Sequence, residues 1–114
     1  MRLGVTEYMD SAHFLPGHAK CGTLHGHTYK VEVIVEGEAK SGMVIDFADL
    51  KDHVRKVMAA YDHRALNDIL EYPSVENICE RLAADLKDHL SFPFLVRVWE
   101  GQGKWAETQA SPVG

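Results

Sequence analysis

The chain has 114 residues, which is the size of one domain and leaves no room for a second. Hydrophobic residues make up 46% and charged residues 25%, as in ordinary soluble globular proteins, so disorder is not expected. The net charge of −5 argues against nucleic acid as a partner, because phosphate contacts require clustered cations. No apolar run approaches the ~20 residues of a membrane span, and Glu7 lies where a signal peptide would be apolar. We therefore expect a cytoplasmic protein that binds neither membranes nor nucleic acid.

Two segments near the start of the chain have the alternation of β-strands. Residues 2–9 alternate apolar and polar side chains, and residues 25–36 do so more clearly, with His25, His27 and the valines on one face. The Pro and Gly content of residues 16–22 predicts a loop between the two strands.

Two helices are predicted next. Asp46 is suited to cap the N-terminus of the first helix, which should end near Tyr61, and Ser74 is suited to cap the second. The second helix has an apolar stripe that includes Cys79 and reaches Leu90.

The chain should end in a second hairpin, with strands at residues 94–100 and 104–109 around a Gly-containing turn. The order β-β-α-α-β-β predicts an α+β fold, an antiparallel sheet with both helices on one face. Such a sheet has two open edges and one uncovered face, so we expect a homo-oligomer. The single domain should span residues 1–110, followed by a short tail at 111–114.

Histidine is unusually frequent, with seven residues in the chain. His25 and His27 lie two positions apart on a predicted strand, so both imidazoles face the same way and can converge on one ion. His13 has the parity of the first strand's apolar residues and can join them if the two strands pair as a long hairpin. Three imidazoles with one open position are typical of catalytic zinc, whereas structural sites are closed and rich in cysteine. The sequence therefore predicts a zinc site on His13, His25 and His27.

An alternative is the metal motif of double-stranded β-helix proteins, in which an acid follows the His-x-His pair. Here that acid would be Glu32, but it has the opposite parity to His25 and His27 on a regular strand. Two helices are also incompatible with an all-β barrel, so we favour the α+β interpretation.

The two cysteines have different contexts, although both should be free thiols in a reducing cytosol. Cys21 follows Lys20 in the Gly-rich loop, and a lysine and a metal ion would both favour the thiolate. We interpret Cys21 as a candidate base or nucleophile. Cys79 falls in the apolar stripe of a helix and should be a core residue.

Three further residues could move or bind protons. Asp62 and His63 are adjacent after the first helix, where an acid can orient an imidazole, although a solvated helix end would look the same. Glu100 shares the face of its strand with apolar residues, where an acid is unusual. It is either a functional residue or the solvated end of the strand. His53 and His89 should be solvated on polar helix faces, and His18 is undecided.

The motifs resemble those of the 6-pyruvoyltetrahydropterin synthase family, and within it the branch that serves queuosine biosynthesis. The resemblance extends over residues 2–110 and is most specific in the Cys-x-x-x-His-Gly-His segment. The matching segments are residues 21–27, 42–47, 62–67 and 73–77, together with His13 and Glu100.

The resemblance implies the tunnelling fold (T-fold), in which trimers close their sheets into a barrel and two trimers stack as a hexamer. It implies active sites at subunit interfaces, Zn²⁺ on the three histidines, and 7,8-dihydroneopterin triphosphate as the substrate of a lyase. The tetrahydrobiopterin-pathway activity, which eliminates triphosphate but keeps the side chain, is an alternative. A non-catalytic, zinc-stabilised binding module is a further one.

The resemblance also implies roles for individual residues. Cys21 would be the proton acceptor, with Asp62 and His63 as its relay. Glu100 would anchor the pterin ring or complete the relay. Substrate contacts are also expected from Ser74 and Glu76.

Overall fold

The computed structural model describes residues 1–112 and contains one four-stranded sheet and two α-helices. The strands are β1 (Arg2–His13), β2 (His25–Glu36), β3 (Phe94–Glu100) and β4 (Lys104–Ala110), and the helices are α1 (Phe47–Met58) and α2 (Val75–Leu86). Neighbouring strands pair antiparallel in the order β1-β2-β3-β4, which confirms the predicted α+β fold. A short 3-10 helix at Leu66–Asp68 was not predicted. Of the predicted tail, residues 113 and 114 lie outside the described part of the chain.

Strand β1 extends four residues beyond the alternating segment 2–9 and reaches His13, as the prediction of a long hairpin required. It pairs with β2 along its whole length, from Arg2 opposite Glu36 to His13 opposite His25. The apolar alternation stops at Met9, but Ser11 is buried because its hydroxyl donates a hydrogen bond to the Tyr61 carbonyl at 2.7 Å. A satisfied polar side chain thus extends the strand where hydrophobicity alone would end it.

The core lies between one face of the sheet and the two helices. Val31, Val33 and Val35 of β2 are almost wholly inaccessible to solvent and pack in the same cluster as Leu50 of α1 and Leu82 of α2. Each such side chain contributes roughly 1.5–3 kcal/mol of burial free energy, so this face determines which side of the sheet is covered.

Both helices begin where the sequence predicted. The Asp46 carboxylate accepts a hydrogen bond from the Ala48 amide at 2.7 Å, and the Ser74 hydroxyl accepts one from the Asn77 amide at 3.2 Å. These bonds satisfy amides that a helix N-terminus otherwise leaves without partners.

Both helices end earlier than predicted. Helix α1 ends at Met58 rather than near Tyr61, because the following residues form turns that carry the chain back to β1. Helix α2 ends at Leu86, although Leu90 beyond it is still buried. Apolar residues past the end of a helix can pack in the same core, so the spacing of apolar residues predicted helices longer than the observed ones.

The other face of the sheet carries charged and aromatic side chains. Arg97 lies between two carboxylates, 3.0 Å from Glu32 and 2.8 Å from Glu107, and Trp105 is half exposed. Glu32 therefore lies on the face opposite His25 and His27, which argues against the double-stranded β-helix alternative. Within residues 1–112, no helix is both long enough and apolar enough to cross a membrane.

Candidate active site

Three histidines meet at one end of the β1–β2 hairpin. His13 and His25 are direct cross-strand partners, and His27 follows two residues later on the same face. Their ring centroids are 4.6–5.0 Å apart, and one nitrogen from each ring lies within 4.8 Å of the others. His13 is buried, and the other two are half-buried. The hairpin register thus brings together side chains that are 12 and 14 residues apart in sequence.

Hydrogen bonds to carbonyl groups select the tautomers of two of these rings. His13 Nδ1 lies 2.7 Å from the Pro73 carbonyl oxygen, and His25 Nδ1 lies 2.7 Å from that of Thr23. Because a carbonyl only accepts, each Nδ1 carries the proton and each Nε2 keeps a free lone pair. Carbonyl partners of this kind orient metal-binding histidines in proteins.

The free nitrogens fit a metal ion. Nε2 of His13 and Nε2 of His27 are buried without a hydrogen-bond partner among the described residues. Burial lowers the pKa of His27; the Glu100 carboxylate opposes this, and the His13 and His25 imidazoles add to it. A neutral imidazole is the form that binds metal, and three nitrogen donors suit a transition metal such as zinc.

Glu100 borders the histidine cluster. It ends β3 opposite Tyr29, with Oε1 3.5 Å from His27 Nε2 and Oε2 3.9 Å from His13 Nε2. Lys104 lies 3.6 Å away, and the Glu100 side chain is only 14% exposed. The sheet register therefore places a carboxylate where it can interact with an ion held by the histidines or with a ligand bound beside them.

Sequence reasoning placed Tyr29 on the histidine face but assigned it no role. Its ring lies 5.9 Å from His13 and 5.7 Å from His27, and its buried hydroxyl has no partner in the described residues. Burial and the Glu100 charge both raise the Tyr29 pKa, so the hydroxyl stays protonated. The sequence signal was its position two residues after His27.

The side chains of Asp62 and His63 are in contact beside β1. Asp62 Oδ2 lies 3.0 Å from His63 Nδ1, while Oδ1 accepts a hydrogen bond from the Asp10 amide at 2.9 Å. Partial burial raises the Asp62 pKa, but the Asp10 amide and His63 outweigh it, so the pKa lies below the ordinary value. Asp62 is therefore ionised at neutral pH and can orient the His63 ring.

The backbone of His63 is strained. Its φ of 56° lies in the left-handed region, which costs a residue other than glycine about 1–3 kcal/mol. Its amide donates a 2.7 Å hydrogen bond to the Asp10 carbonyl, which holds this conformation. The side chain is 76% exposed, so it projects from the subunit surface.

One open cleft of about 610 Å³ is lined by His27 of the histidine cluster and by His63. Its lining residues are Asp10, Ser11, Ala12, Gly26, His27, Thr28, His63, Arg64 and Ala65. His27 and His63 thus face the same space within one chain.

Cys21 is not among the residues that line this cleft. It is half-buried in the loop before β2, where its carbonyl accepts a hydrogen bond from the Leu15 amide at 2.7 Å. The structure therefore brings the three histidines and Glu100 together, places His27 and His63 on one cleft, and leaves Cys21 outside that cleft.

The two predicted substrate contacts on α2 differ in their surroundings. The Ser74 hydroxyl caps the helix, and the preceding residue, Pro73, supplies the carbonyl bound by His13. Glu76 is exposed in the first turn. Asn67, which had no predicted role, binds both the amide and the carbonyl of Phe14 at 2.9 Å and so secures the chain after His13.

The remaining histidines and cysteine have structural surroundings. The expectation that His53 is solvated was wrong: it is half-buried, because its ring packs 5.6 Å from that of His89. His89 is exposed, as expected. Cys79 is a core residue, as predicted, and burial raises the pKa of its thiol to about 11.

Residues 2–111 match the family described as 6-pyruvoyl tetrahydropterin synthase. The chain belongs to this family. The match extends over nearly the whole sequence, so it confirms the resemblance that the motifs indicated.

Known relatives of this pterin synthase family carry more than one activity name. An Archaeoglobus fulgidus protein, provisionally named 6-carboxy-5,6,7,8-tetrahydropterin synthase, is 46% identical over 94% of each chain. A Pyrococcus furiosus dihydroneopterin monophosphate aldolase is 45% identical over 68% of this chain and 71% of its own. A Synechocystis 6-carboxy-5,6,7,8-tetrahydropterin synthase is 37% identical over 69% of each. These names support an enzyme that acts on a pterin.

The fold of the family is also present in solved structures. The Caenorhabditis elegans 6-pyruvoyl tetrahydropterin synthase has a TM-score of 0.87 at 25% identity, with 97% of this chain and 96% of that chain covered. The Plasmodium vivax enzyme has a TM-score of 0.81 at 23% identity, with 97% and 98% covered. The four-stranded sheet with two helices is therefore the T-fold.

Proposed function

We propose that this protein is a zinc-dependent carbon–carbon lyase of queuosine biosynthesis. It would convert 7,8-dihydroneopterin triphosphate and one water molecule to 6-carboxy-5,6,7,8-tetrahydropterin, acetaldehyde and triphosphate, with the water supplying the second oxygen of the new carboxylate. The observation that carries the proposal is the cluster of imidazole nitrogens beside Glu100, a set of ligands suited to a metal ion next to a carboxylate. The near full-length similarity to the Archaeoglobus fulgidus protein supports this choice of reaction.

The chemistry begins at the three histidines. His13, His25 and His27 would hold zinc, which would supply a Lewis acid to polarise the hydroxyl groups of the substrate side chain and acidify the adjacent C–H. His13 and His25 are held by their carbonyl partners, so the centre is oriented before substrate arrives.

Proton transfer falls to Cys21 and the relay pair. Cys21 accepts the substrate proton, and His63 exchanges protons with the thiol. Asp62 stabilises the imidazolium form of His63 through Nδ1 because its own carboxylate stays ionised. Since Cys21 lies outside the cleft that His63 lines, we propose that Cys21 of one subunit works with Asp62 and His63 of a neighbour.

Glu100 would hold the pterin ring. The guanidine-like edge of a pterin presents two N–H donors, and a carboxylate can accept both. With one-seventh of its surface exposed, Glu100 is sheltered enough for such bonds to be strong yet open enough to be reached. Ser74 and Glu76 would add contacts from the start of α2.

The assembly completes the proposal. Strands β1 and β4 are open edges, and the face that carries Trp105 is uncovered. A trimer, doubled to a hexamer, would pair the edges and enclose that face. We further propose that residues 1–110 form a catalytic domain and that the enzyme acts in the cytoplasm.

A second candidate function comes from the relatives. The similarity to the dihydroneopterin monophosphate aldolase favours an aldol cleavage of the monophosphate, which the same metal centre could support. The 6-pyruvoyl reaction, with elimination of triphosphate alone, is the other catalytic alternative.

The decisive experiment offers the zinc-loaded enzyme the triphosphate and the monophosphate of dihydroneopterin in parallel. We expect the triphosphate to yield equal amounts of 6-carboxytetrahydropterin, identified by mass spectrometry, and acetaldehyde, measured with alcohol dehydrogenase. Cys21→Ala serves as the inactive control; if it retains full turnover, Cys21 is not the proton acceptor. A pyruvoyl product without acetaldehyde, or cleavage of the monophosphate alone, would assign the corresponding alternative. Turnover of neither substrate would contradict an enzyme of this class.

A further inference from the structure

The loop before β2 is closed around the side chain of His18. Its Nδ1 accepts hydrogen bonds from two consecutive backbone amides, that of Lys20 at 3.2 Å and that of Cys21 at 2.9 Å. Its own amide donates to the Leu15 carbonyl at 3.0 Å, and the Leu15 amide donates to the Cys21 carbonyl at 2.7 Å. Both peptide groups of Cys21 are therefore bound inside the loop.

The direction of these bonds defines the state of the His18 ring. Both amides donate, so Nδ1 carries no proton and acts only as an acceptor. This arrangement matches the side-chain oxygen of an N-cap residue, which accepts from amides two and three positions later.

The backbone of His18 restrains the other side of Cys21. A Cβ added to Gly22 would lie 2.6 Å from the His18 carbonyl oxygen, closer than real Cβ contacts allow. The residues before and after the thiol are thus both packed against His18.

We propose that His18 is a positioning residue for Cys21: the acceptor nitrogen of His18 holds the loop so that the Cys21 thiol points toward substrate. This rests on the proposed role of Cys21 as proton acceptor. A misplacement of about 1 Å at a reacting group can lower the rate about 100-fold, so a loop this small needs such a restraint. His18 itself is exposed, so the ring adds little to the core and its loss should not unfold the protein.

The test compares two amide side chains that differ by one methylene group and therefore place their oxygen at different positions. His18→Asn puts a carbonyl oxygen near the position of Nδ1, whereas His18→Gln puts it near the position of Nε2. We expect His18→Asn to keep kcat within about 3-fold, and His18→Gln and His18→Ala to lower kcat by about 10- to 100-fold. KM should stay within about 2-fold and zinc content should not change, since the metal centre and Glu100 are intact.

The outcomes separate this proposal from the proposed function. Wild-type kcat in His18→Gln and His18→Ala would overturn the positioning role, as would a His18→Asn variant as slow as His18→Gln. Loss of zinc or of folding in His18→Gln and His18→Ala would show that His18 is merely structural, and would overturn it as well.

If the wild type turns over no pterin, the proposed function fails, and the rate of Cys21 alkylation by iodoacetamide decides the matter instead. Peptide mass mapping of the full chain measures that rate at Cys21 alone. We then expect several-fold faster alkylation in His18→Gln and His18→Ala than in the wild type and His18→Asn. Equal rates in all four proteins would overturn the positioning role.

Discussion

Hydrogen bonds to the carbonyl oxygens of Pro73 and Thr23 fix the tautomers of His13 and His25, which the presence of histidine alone does not determine. They hold the protons of His13 and His25 on Nδ1, which leaves Nε2 of both rings available to one ion. Without such partners each ring could flip or exchange tautomers, and the three nitrogens would no longer converge.

Zinc content should therefore depend on the cluster and not on histidine number. We expect His27→Ala to lower bound zinc several-fold, measured by inductively coupled plasma mass spectrometry after dialysis, because it leaves two imidazoles. His89→Ala, which removes an exposed histidine outside the cluster, should keep the wild-type content. Stoichiometric zinc in His27→Ala would rule out the proposed ligand set.

Cys21 and Glu100 should have separable kinetic effects. An interaction made only in the transition state changes kcat, whereas one made equally in the ground state changes KM. We expect Cys21→Ala to lower kcat by roughly 10²–10⁴-fold with substrate still bound, as for a lost general base. Glu100→Ala should chiefly raise KM, because the loss of a charged hydrogen bond weakens the binding free energy by roughly 1.5–3 kcal/mol.

Steady-state kinetics at saturating zinc distinguish these roles. If Glu100→Ala leaves substrate binding unchanged and abolishes only turnover, Glu100 belongs to the proton relay with His63. Its 3.5 Å approach to His27 Nε2 makes a zinc assay of the same variant a necessary control.

The two thiols should differ in reactivity and in pH dependence. Burial raises the Cys79 pKa to about 11, so at pH 8 this thiol is protonated and should react with Ellman's reagent only on unfolding, whereas Cys21 should react in the native state. The folded state favours the neutral Cys79 thiol. Its contribution to the free energy of unfolding is therefore fully present below the unfolded pKa of about 8.5, and it is lost as pH rises through the folded pKa of about 11. Rapid modification of both thiols in the native protein would contradict this assignment.

At the element scale, sequence patterns predicted the strands and helix starts better than the helix ends. Alternation on β2 and the caps Asp46 and Ser74 are local signals, so they could be read without knowing the fold. The burial of Ser11 depends on a hydrogen bond to a carbonyl 50 residues away, and no local pattern contains that information.

The candidate site divides in the same way. The proximity of His13, His25 and His27 follows from one hairpin and could be anticipated from spacing and parity. The position of Glu100 beside them needs the register between β2 and β3, and the placement of Asp62 needs a hydrogen bond to Asp10, 52 residues distant. These are long-range pairings, which only the assembled sheet defines.

Helix α2 offers a test of whether Ser74 is more than a cap. Loss of the cap bond in Ser74→Ala should reduce the free energy of unfolding by about 1 kcal/mol, measured by urea denaturation. Asp46→Ala removes the equivalent bond from α1 and should cost a similar amount. If Ser74 also contacts substrate, only Ser74→Ala will raise KM; equal KM values in both variants would leave Ser74 with the capping role alone.

At the scale of the whole molecule, one subunit has the features of an incomplete structure. The charged ladder of Glu32, Arg97 and Glu107 lies on an uncovered face of the sheet. On the same face, Tyr8 is 62% exposed and Trp105 is 50% exposed. A barrel of subunits would cover these groups and would also bring the exposed His63 against a neighbour. Light scattering should therefore give a mass that is a multiple of three subunits of 12.8 kDa, and a monodisperse monomer would contradict the assembly.

A shared active site makes a stronger prediction, because two inactive variants should complement each other. Consider a mixed oligomer of Cys21→Ala and His63→Ala subunits, in which each site takes its thiol from one subunit and its imidazole from the next. A site is intact when a His63→Ala subunit supplies the thiol and a Cys21→Ala subunit supplies the imidazole. Random mixing places both native residues in about one quarter of such sites. We expect oligomers co-expressed with two different tags, and purified on both, to recover about that fraction of wild-type activity. Each variant purified alone should be an inactive oligomer of the same size. If both variants form oligomers and the mixed species stays inactive, Cys21 and His63 act within one chain, and the loop that carries Cys21 must close over its own cleft.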